Sequence, residues 1–379
     1  MSVGQSKWIR ILPGVLLCLG IMALSLIASQ WLGIFILYMQ GLDTSGSSPI
    51  SSILVAIVIG LIIRNLLGLK EIFAEGVSFS IKILLKLGII LLGIRLSIFD
   101  VLTLGAWGLP IIILSVLTGL SVTLWITNKM RQPHRLGTLT AVGTGICGVT
   151  AIVGTSPGIR ANDSEVAYSI ANITLFGIIA MFAYPYLAYL LFENDPIRAG
   201  LFLGTAIHET AQVAGASLIY DQVYNNPTVV DVATITKLTR NVLLVAVVPI
   251  MSYYYLKSSQ RQASSQSKVP KWYNLVPLFV LGFLGMAVLR SVGDAGVSSQ
   301  GEAFGLLSPG QWESVWQSVN TFGASYILGI AMAAVGLSTS FSVFKGFGIK
   351  PFYIGLVAAF SVTVVSLLLV YLLGGLIQF

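Results

Sequence analysis

The sequence predicts an all-α polytopic membrane protein, and three observations carry that expectation. Of the 379 residues, 56% are hydrophobic and 9% charged, against roughly a quarter charged in an ordinary globular domain. Apolar runs of about 18 residues or more recur along the whole chain, separated by polar or Gly/Pro-rich connections. Lys and Arg residues flank those runs on alternate sides rather than forming one patch, so the net charge of +7 speaks for membrane topology and against nucleic acid. No stretch outside the runs is long enough for a soluble domain, so the chain reads as a single membrane unit.

The runs predict eleven spans, with approximate limits 11–37, 50–68, 77–97, 105–127, 136–160, 164–192, 197–220, 230–256, 273–290, 315–342 and 352–377. Lys7 and Arg10 precede the first run without a small-residue cleavage pattern after it, so span 1 is expected to be retained. With the N-terminus inside, sixteen of the 21 Lys and Arg fall at inner loops or inner helix ends, and only Arg95, Arg160 and Arg290 at the outer side. This places the N-terminus in the cytoplasm and the C-terminus outside. The Ser/Gln-rich stretch 258–268 reads as a flexible inner linker.

Span 5 is the unusual one. Its core, Thr138 to Arg160, carries five glycines, Cys147 and a proline among Thr and Ser, where a lipid-facing helix uses Leu, Ile and Val. Such composition predicts a discontinuous helix whose freed backbone groups, at Gly143, Thr144, Gly145, Cys147 and Gly148, face a substrate or water. The rival is a small-residue helix packed closely on its neighbours.

Setting span 1 aside (residues 1–49), spans 2 to 6 (50–192) can be laid on spans 7 to 11 (193–379) as two five-helix repeats. Gly60 and Arg64 fall over Gly204 and His208, Lys82 over Lys237, Leu109-Pro110 over Val276-Pro277, and Ala151 to Ser156 over Ala333 to Ser338. An odd number of spans makes the repeats inverted. They pair span 5 with span 10, where Gly329 and Gly336 are expected to supply breaks, and the two discontinuous helices are expected to cross at the membrane centre.

Span 7 sets Thr205, His208, Glu209 and Gln212 at i, i+3, i+4 and i+7, one polar stripe on an otherwise small or apolar helix. Ionisable groups that deep need partners or water. Span 8 sets Lys237, Arg240 and Asn241 on one face. Two cations side by side repel, Glu209 alone cannot neutralise both, and an oxyanion matches the guanidinium fork and the ammonium point charge. The structural alternative has Lys237 reaching for headgroups and Arg240 pairing with Glu209. Lys82 and Lys86 on span 3 read equally as inner-surface anchors or as site residues. His208-Glu209 lacks a second histidine at zincin spacing, and two histidines in the whole chain exclude a His-rich metal site. Cys147 has no neighbouring base, Cys18 lies within span 1, and no nucleotide-binding loop stands out. No catalytic residue, resident metal or cofactor is therefore expected.

The segments Gly143 to Ala151, Gly204 to Gly215 and Lys237 to Arg240 together resemble the YeiH-type family of bacterial inner-membrane proteins, whose name ascribes sulfate export to it. The resemblance runs from span 2 to span 11. This chain has Glu209 where that family commonly has Asp, and Thr150 and Gly154 where it has alanines, departures that keep the acid and the small residues. The resemblance implies a secondary transporter of sulfate or a small organic sulfonate, on a plan similar to bile-acid symporters and sodium/proton antiporters. That plan has a panel (spans 2, 3, 7 and 8) and a core (spans 4 to 6 and 9 to 11).

The residues thus predict an anion transporter, not an enzyme. The anion is held by the span 5 backbone, His208, Gln212, Lys237, Arg240 and Asn241, and Glu209 or His208 couples it to a proton or sodium ion. A cation/proton antiporter using Glu209 is the alternative. A homodimer is compatible with the sequence.

Overall fold

The computed structural model describes residues 7–39, 51–192, 195–258, 278–340 and 350–377. These are helical throughout apart from short connections: α1 (Lys7–Met39), α2 (Ser52–Ile62), α3 (Glu71–Phe79), α4 (Leu85–Leu92), α5 (Ile98–Lys129), α6 (His134–Val142), α7 (Val149–Thr155), α8 (Asp163–Phe192), α9 (Pro196–Ala206), α10 (Thr210–Tyr224), α11 (Thr228–Val242), α12 (Leu244–Ser258), α13 (Leu278–Gln300), α14 (Pro309–Thr321), α15 (Leu328–Ser338) and α16 (Lys350–Leu373). Several starts are specified locally. Ser51 caps α2 by accepting from the Leu54 amide. Asp195 does the same for Arg198 at the head of α9, where Pro196 occupies the first turn, whose amides need no intrahelical partner.

Among the described residues six helices are long and apolar enough to cross a membrane, and a seventh if the bent pair α11–α12 counts as one. Eleven uninterrupted spans are therefore not what forms. Part of the remaining apolar length is broken by wide π turns at Ile63–Leu67, Gly143–Cys147 and Phe322–Ile327. The linker beyond Ser258, and Val276-Pro277, lie outside the described residues.

By contact the chain divides into two units, both discontinuous in sequence. The first comprises residues 1–102, 218–227 and 278–340, the second 103–217, 228–277 and 341–379. This grouping is not the panel and core that the resemblance implies, since α9, α11 and α12 join α5 to α8, while α13 to α15 join α1 to α4.

In the first unit α15 packs on α2 and α1 on α3. Gly329 and Gly336 lie inside the uninterrupted helix α15, so span 10 is not broken where the sequence reading placed its break. At Gly336 the missing side chain serves contact instead of a bend: a Cβ there would press on the Ile57 carbonyl and lie 3.0 Å from the Gly60 Cα. Glycine in an apolar helix signals a break or a close crossing, and here it is the crossing.

In the second unit, residues 134–158 form a helical hairpin. Its ends meet the same turn of α12: Arg135 Nε donates to Tyr255 Oη at 3.1 Å, and Gly158 abuts Ser252. Its legs touch, since Ile152 Cδ1 lies 2.9 Å from where a Gly143 side chain would begin. Leu139, Ile152 and Ile159 share one buried cluster with Ile173 of α8. A second hairpin is formed by α9 and α10, of which the residues up to Ser217 belong to this unit. Gly200 packs on Val232 and Gly204 on Thr236, so α9 and α11 run parallel. Only three residues, 225–227, join α10 to α11, so α10 must run back toward the level where α9 began. The bases of the two hairpins lie at opposite ends of the 30-residue α8, about 45 Å apart at 1.5 Å per residue.

The Gly60/Gly336 crossing is testable. Gly60→Leu is expected to destabilise the protein by about 1–3 kcal/mol, because a Cβ there would lie 2.7 Å from the Ala333 carbonyl, a backbone atom that cannot swing away. Gly20→Leu, at a position open to its surroundings, should leave thermal unfolding in detergent nearly unchanged.

Candidate functional site

The tips of the two hairpins meet inside the second unit. At the first, the chain leaves α6 through the π turn Gly143–Cys147 and reverses at Gly148, whose φ of 67° and ψ of −120° an L side chain resists. A side chain at Gly148 would also begin 3.2 Å from the Glu209 Cβ. At the second tip α9 ends at Ala206 and α10 begins at Thr210, leaving Ile207, His208 and Glu209 outside any helix. Thr205, His208, Glu209 and Gln212 are therefore not one helical stripe. The helix breaks in their midst, and Glu209 is set beside the other tip.

α11 supplies the two cations as the spacing predicts, and both are shut away from the surface: Arg240 is 0% and Lys237 1% exposed. Their donors go to backbone carbonyls. Arg240 reaches Gly145 O with Nε at 2.9 Å and with Nη2 at 2.7 Å, Thr144 O with Nη2 at 2.8 Å, and Thr205 O with Nη1 at 2.6 Å. Lys237 Nζ donates to Ile146 O at 2.9 Å, to Ile207 O at 3.0 Å, and to His208 O. A helix that stops in the interior leaves its last carbonyls without amide partners, and these two cations satisfy such carbonyls on α6 with its π turn and on α9 at once. Neither reaches a headgroup, and neither forms an ion pair with Glu209, which is half-buried and has no ion-pair partner among the described residues. The two cations hold the tips together.

The remaining polar groups are acceptors without donors. The His208 ring lies against the Thr144 carbonyl, and its Nδ1 has no partner among the described residues. Gln212 donates to Thr174 O of α8 at 3.1 Å and Asn241 to Thr210 Oγ1 at 3.1 Å, while Gln212 Oε1 and Asn241 Oδ1 stay bare though buried. Cys147 is buried in the first tip, against the apolar cluster that contains Val116, Ile146 and Leu244.

All the residues singled out in spans 5, 7 and 8 are thus gathered in one place. Lys82, in the π turn Ser80–Leu84, and Lys86, in α4, are exposed residues of the first unit. The sequence reading expected the freed backbone of span 5 to face a substrate or water; the carbonyls of Thr144, Gly145 and Ile146 accept from Arg240 and Lys237 instead. What it missed are the carbonyls of Thr205, Ile207 and His208, which leave no side-chain signal, together with Thr174 and Thr210, whose roles depend on which amide docks against them. Among the described residues no group of His, Cys, Asp and Glu is arranged to hold a metal ion.

Such helices and paired hairpin tips define a multi-pass helical membrane protein. The chain belongs to the family described as Conserved hypothetical protein 698, whose profile matches residues 13–355. It is 32% identical over 323 residues to a UPF0324 membrane protein of Bacillus anthracis, covering 85% of this chain and 87% of that one. A UPF0324 membrane protein of Streptococcus agalactiae is 29% identical over 364 residues (96% and 98%), and one of Bacteroides thetaiotaomicron 32% over 317 residues (82% and 86%). No solved structure matches the chain.

If the cations hold the tips, charge alone should not suffice at position 240. Arg240→Lys is expected to lower stability by about 2–4 kcal/mol, because one ammonium cannot span the carbonyls of Thr144, Gly145 and Thr205. Thermal unfolding in detergent measures this, and an unchanged midpoint would remove the clasp.

Proposed function

We propose that this protein is a secondary active transporter of a small oxyanion, sulfate or a sulfonate, that handles its substrate where the two hairpin tips meet. The observation that carries the proposal is the pair of fully buried cations without a carboxylate partner among the described residues. At each tip the helix that ends there (α6, α9) brings about half a negative charge and the helix that begins there (α7, α10) about half a positive charge, so the dipoles offset one another and an ionised Glu209 offsets one of the two cationic charges. When a proton or a sodium ion neutralises Glu209, both positive charges are left uncompensated in a dry setting, and an anion supplies the balance. Anion and cation thus enter together by electrostatics alone.

Two further points favour transport. Discontinuous helices in a membrane protein are tolerable where they face protein or a water-filled cavity, as at transporter binding sites. The first hairpin with α8, and the second with α11–α12, have the layout of an inverted pair whose bases lie at opposite ends of α8; we read this as the repeat, in place of spans 2 to 6 over spans 7 to 11. The distribution of basic residues favours an N-terminus in the cytoplasm, and the resemblance to the YeiH-type proteins favours a bacterial inner membrane. The resemblance to the YeiH-type proteins points to the same substrate class. The unpaired carboxylate of Glu209 also suits a cation/proton antiporter, and the same measurements separate the two readings.

In sodium-free buffer, sulfate binding should tighten as pH falls from about 8 to about 5, because protonating Glu209 releases the positive charge. Glu209→Gln should bind sulfate with no pH dependence. A dependence that persists in Glu209→Gln but vanishes in His208→Asn would move the coupling to the histidine. Transport of sodium or protons with no anion bound at any pH would support the antiporter.

A further inference from the structure

Lys82 and Lys86 of the first unit stand at a depth where an ammonium group needs a reason. They belong to the candidate span Glu71–Arg95, 25 residues long, and lie 11 and 15 residues beyond its first residue, about 16 and 22 Å at 1.5 Å per residue. α1 gives the same depth independently. Gly14 abuts Gly76 and Cys18 meets Ser80, so α1 and α3 run parallel and in step, and Lys82 follows just beyond the level of Cys18. That is near the middle of a hydrocarbon core about 30 Å thick. Neither lysine is therefore an inner-surface anchor, because its stem is too short to carry the ammonium back to the headgroups.

Both lysines are exposed on the first unit, and neither has an ion pair or a hydrogen bond among the described residues. The face that carries them is polar along its length: Glu71, Glu75, Ser78, Lys82 and Lys86 recur at steps of four, three, four and four, opposite the buried Val77, Ser80 and Gly88. The π turn Ser80–Leu84 sits within it, a widening that appears frequently at functional sites. Near the inner end Glu75 pairs with Arg10 at 3.3 Å, whereas the deep end of the stripe carries positive charge alone. Ammonium groups at this depth face protein partners or water, not acyl chains. A second copy of the chain, related by an axis along the membrane normal, would bring the same two lysines to the same depth and set four cations together. Water, with an anion to balance the charge, is the surrounding that fits.

We infer that this face of the first unit lines a water-filled path, and that Lys82 and Lys86 form a binding step on it for a small oxyanion. The inference rests on the proposed anion transport for the identity of the ion, and on the depth and exposure of the two lysines for the path itself.

The test uses the full-length protein lacking Cys18 and Cys147, in sealed vesicles, with single cysteines in place of Lys82, Ile83, Lys86 or Leu87. Ile83 and Leu87 are exposed aliphatic residues, each turned about 100 degrees from the neighbouring lysine. A membrane-impermeant methanethiosulfonate bearing a sulfonate, added to each face in turn, should modify positions 82 and 86 and spare 83 and 87. Relative to their rates on a free thiol, it should outpace a trimethylammonium analogue by about tenfold, drawn by the lysine that remains. Sulfate should slow the reaction when gluconate at equal ionic strength does not. Positions 82 and 86 as unreactive as 83 and 87 overturn the path, and equal rates for both reagents without sulfate protection overturn the anion step. Lys82→Gln, at an exposed position, should keep the wild-type unfolding temperature and raise the sulfate concentration for half-maximal uptake by about fivefold or more. Sulfate-protected labelling with no sulfate uptake under any gradient would remove the proposed transport and leave the path standing. Sulfate uptake with unchanged half-saturation in Lys82→Gln and no labelling would do the reverse.

Discussion

The structure of the second unit depends on one constraint: two helices stop in the interior, and the carbonyls at their ends must be satisfied there. Backbone oxygens without partners cost several kcal/mol in a dry setting, so a break at this depth exists only if something caps it. Arg240 and Lys237 do so for both breaks at once from a single helix. The exchange is mutual, because two unpaired cations would be as costly as bare carbonyls. Everything nearby follows from it. Gly148 is needed because the reversal passes close to Glu209, and Glu209 has no ion-pair partner among the described residues because the cations are already engaged.

This changes what the two cations do. As direct ligands of an anion they would need free N–H groups, and theirs point at carbonyls. As caps they set the charge of the site, and in the proposed function Glu209 is the group whose neutralisation admits an anion.

The membrane class, the α11 face and the break at Gly143 to Gly148 were legible in the sequence, each from a strong local signal: hydropathy, i, i+3, i+4 spacing, and glycine among small polar residues. The second break was not. Ala206 to Thr210 contains no glycine or proline, and the polar spacing of Thr205, His208, Glu209 and Gln212 imitates a continuous helix. Gly336 misled in the opposite sense, since close packing on Gly60 uses the same residue as a break. Charge counting is blind to the hairpins too. If neither hairpin crosses, Arg160 moves to the inner side and Arg198 to the outer, so sixteen minus one plus one is again sixteen of the 21 basic residues. Two re-entrant segments from opposite ends restore parity for every span after them.

The central claim is that residues 134–158 and 196–224 each enter and return on their own side. Single cysteines at Gln132, Ala161, Asp195 and Asn225, in a background lacking Cys18 and Cys147, can be labelled with a membrane-impermeant maleimide in sealed vesicles of known orientation. The account predicts that positions 132 and 161 react from one face and 195 and 225 from the other. Labelling of 132 and 161 from opposite faces would make residues 134–158 a crossing helix and contradict it.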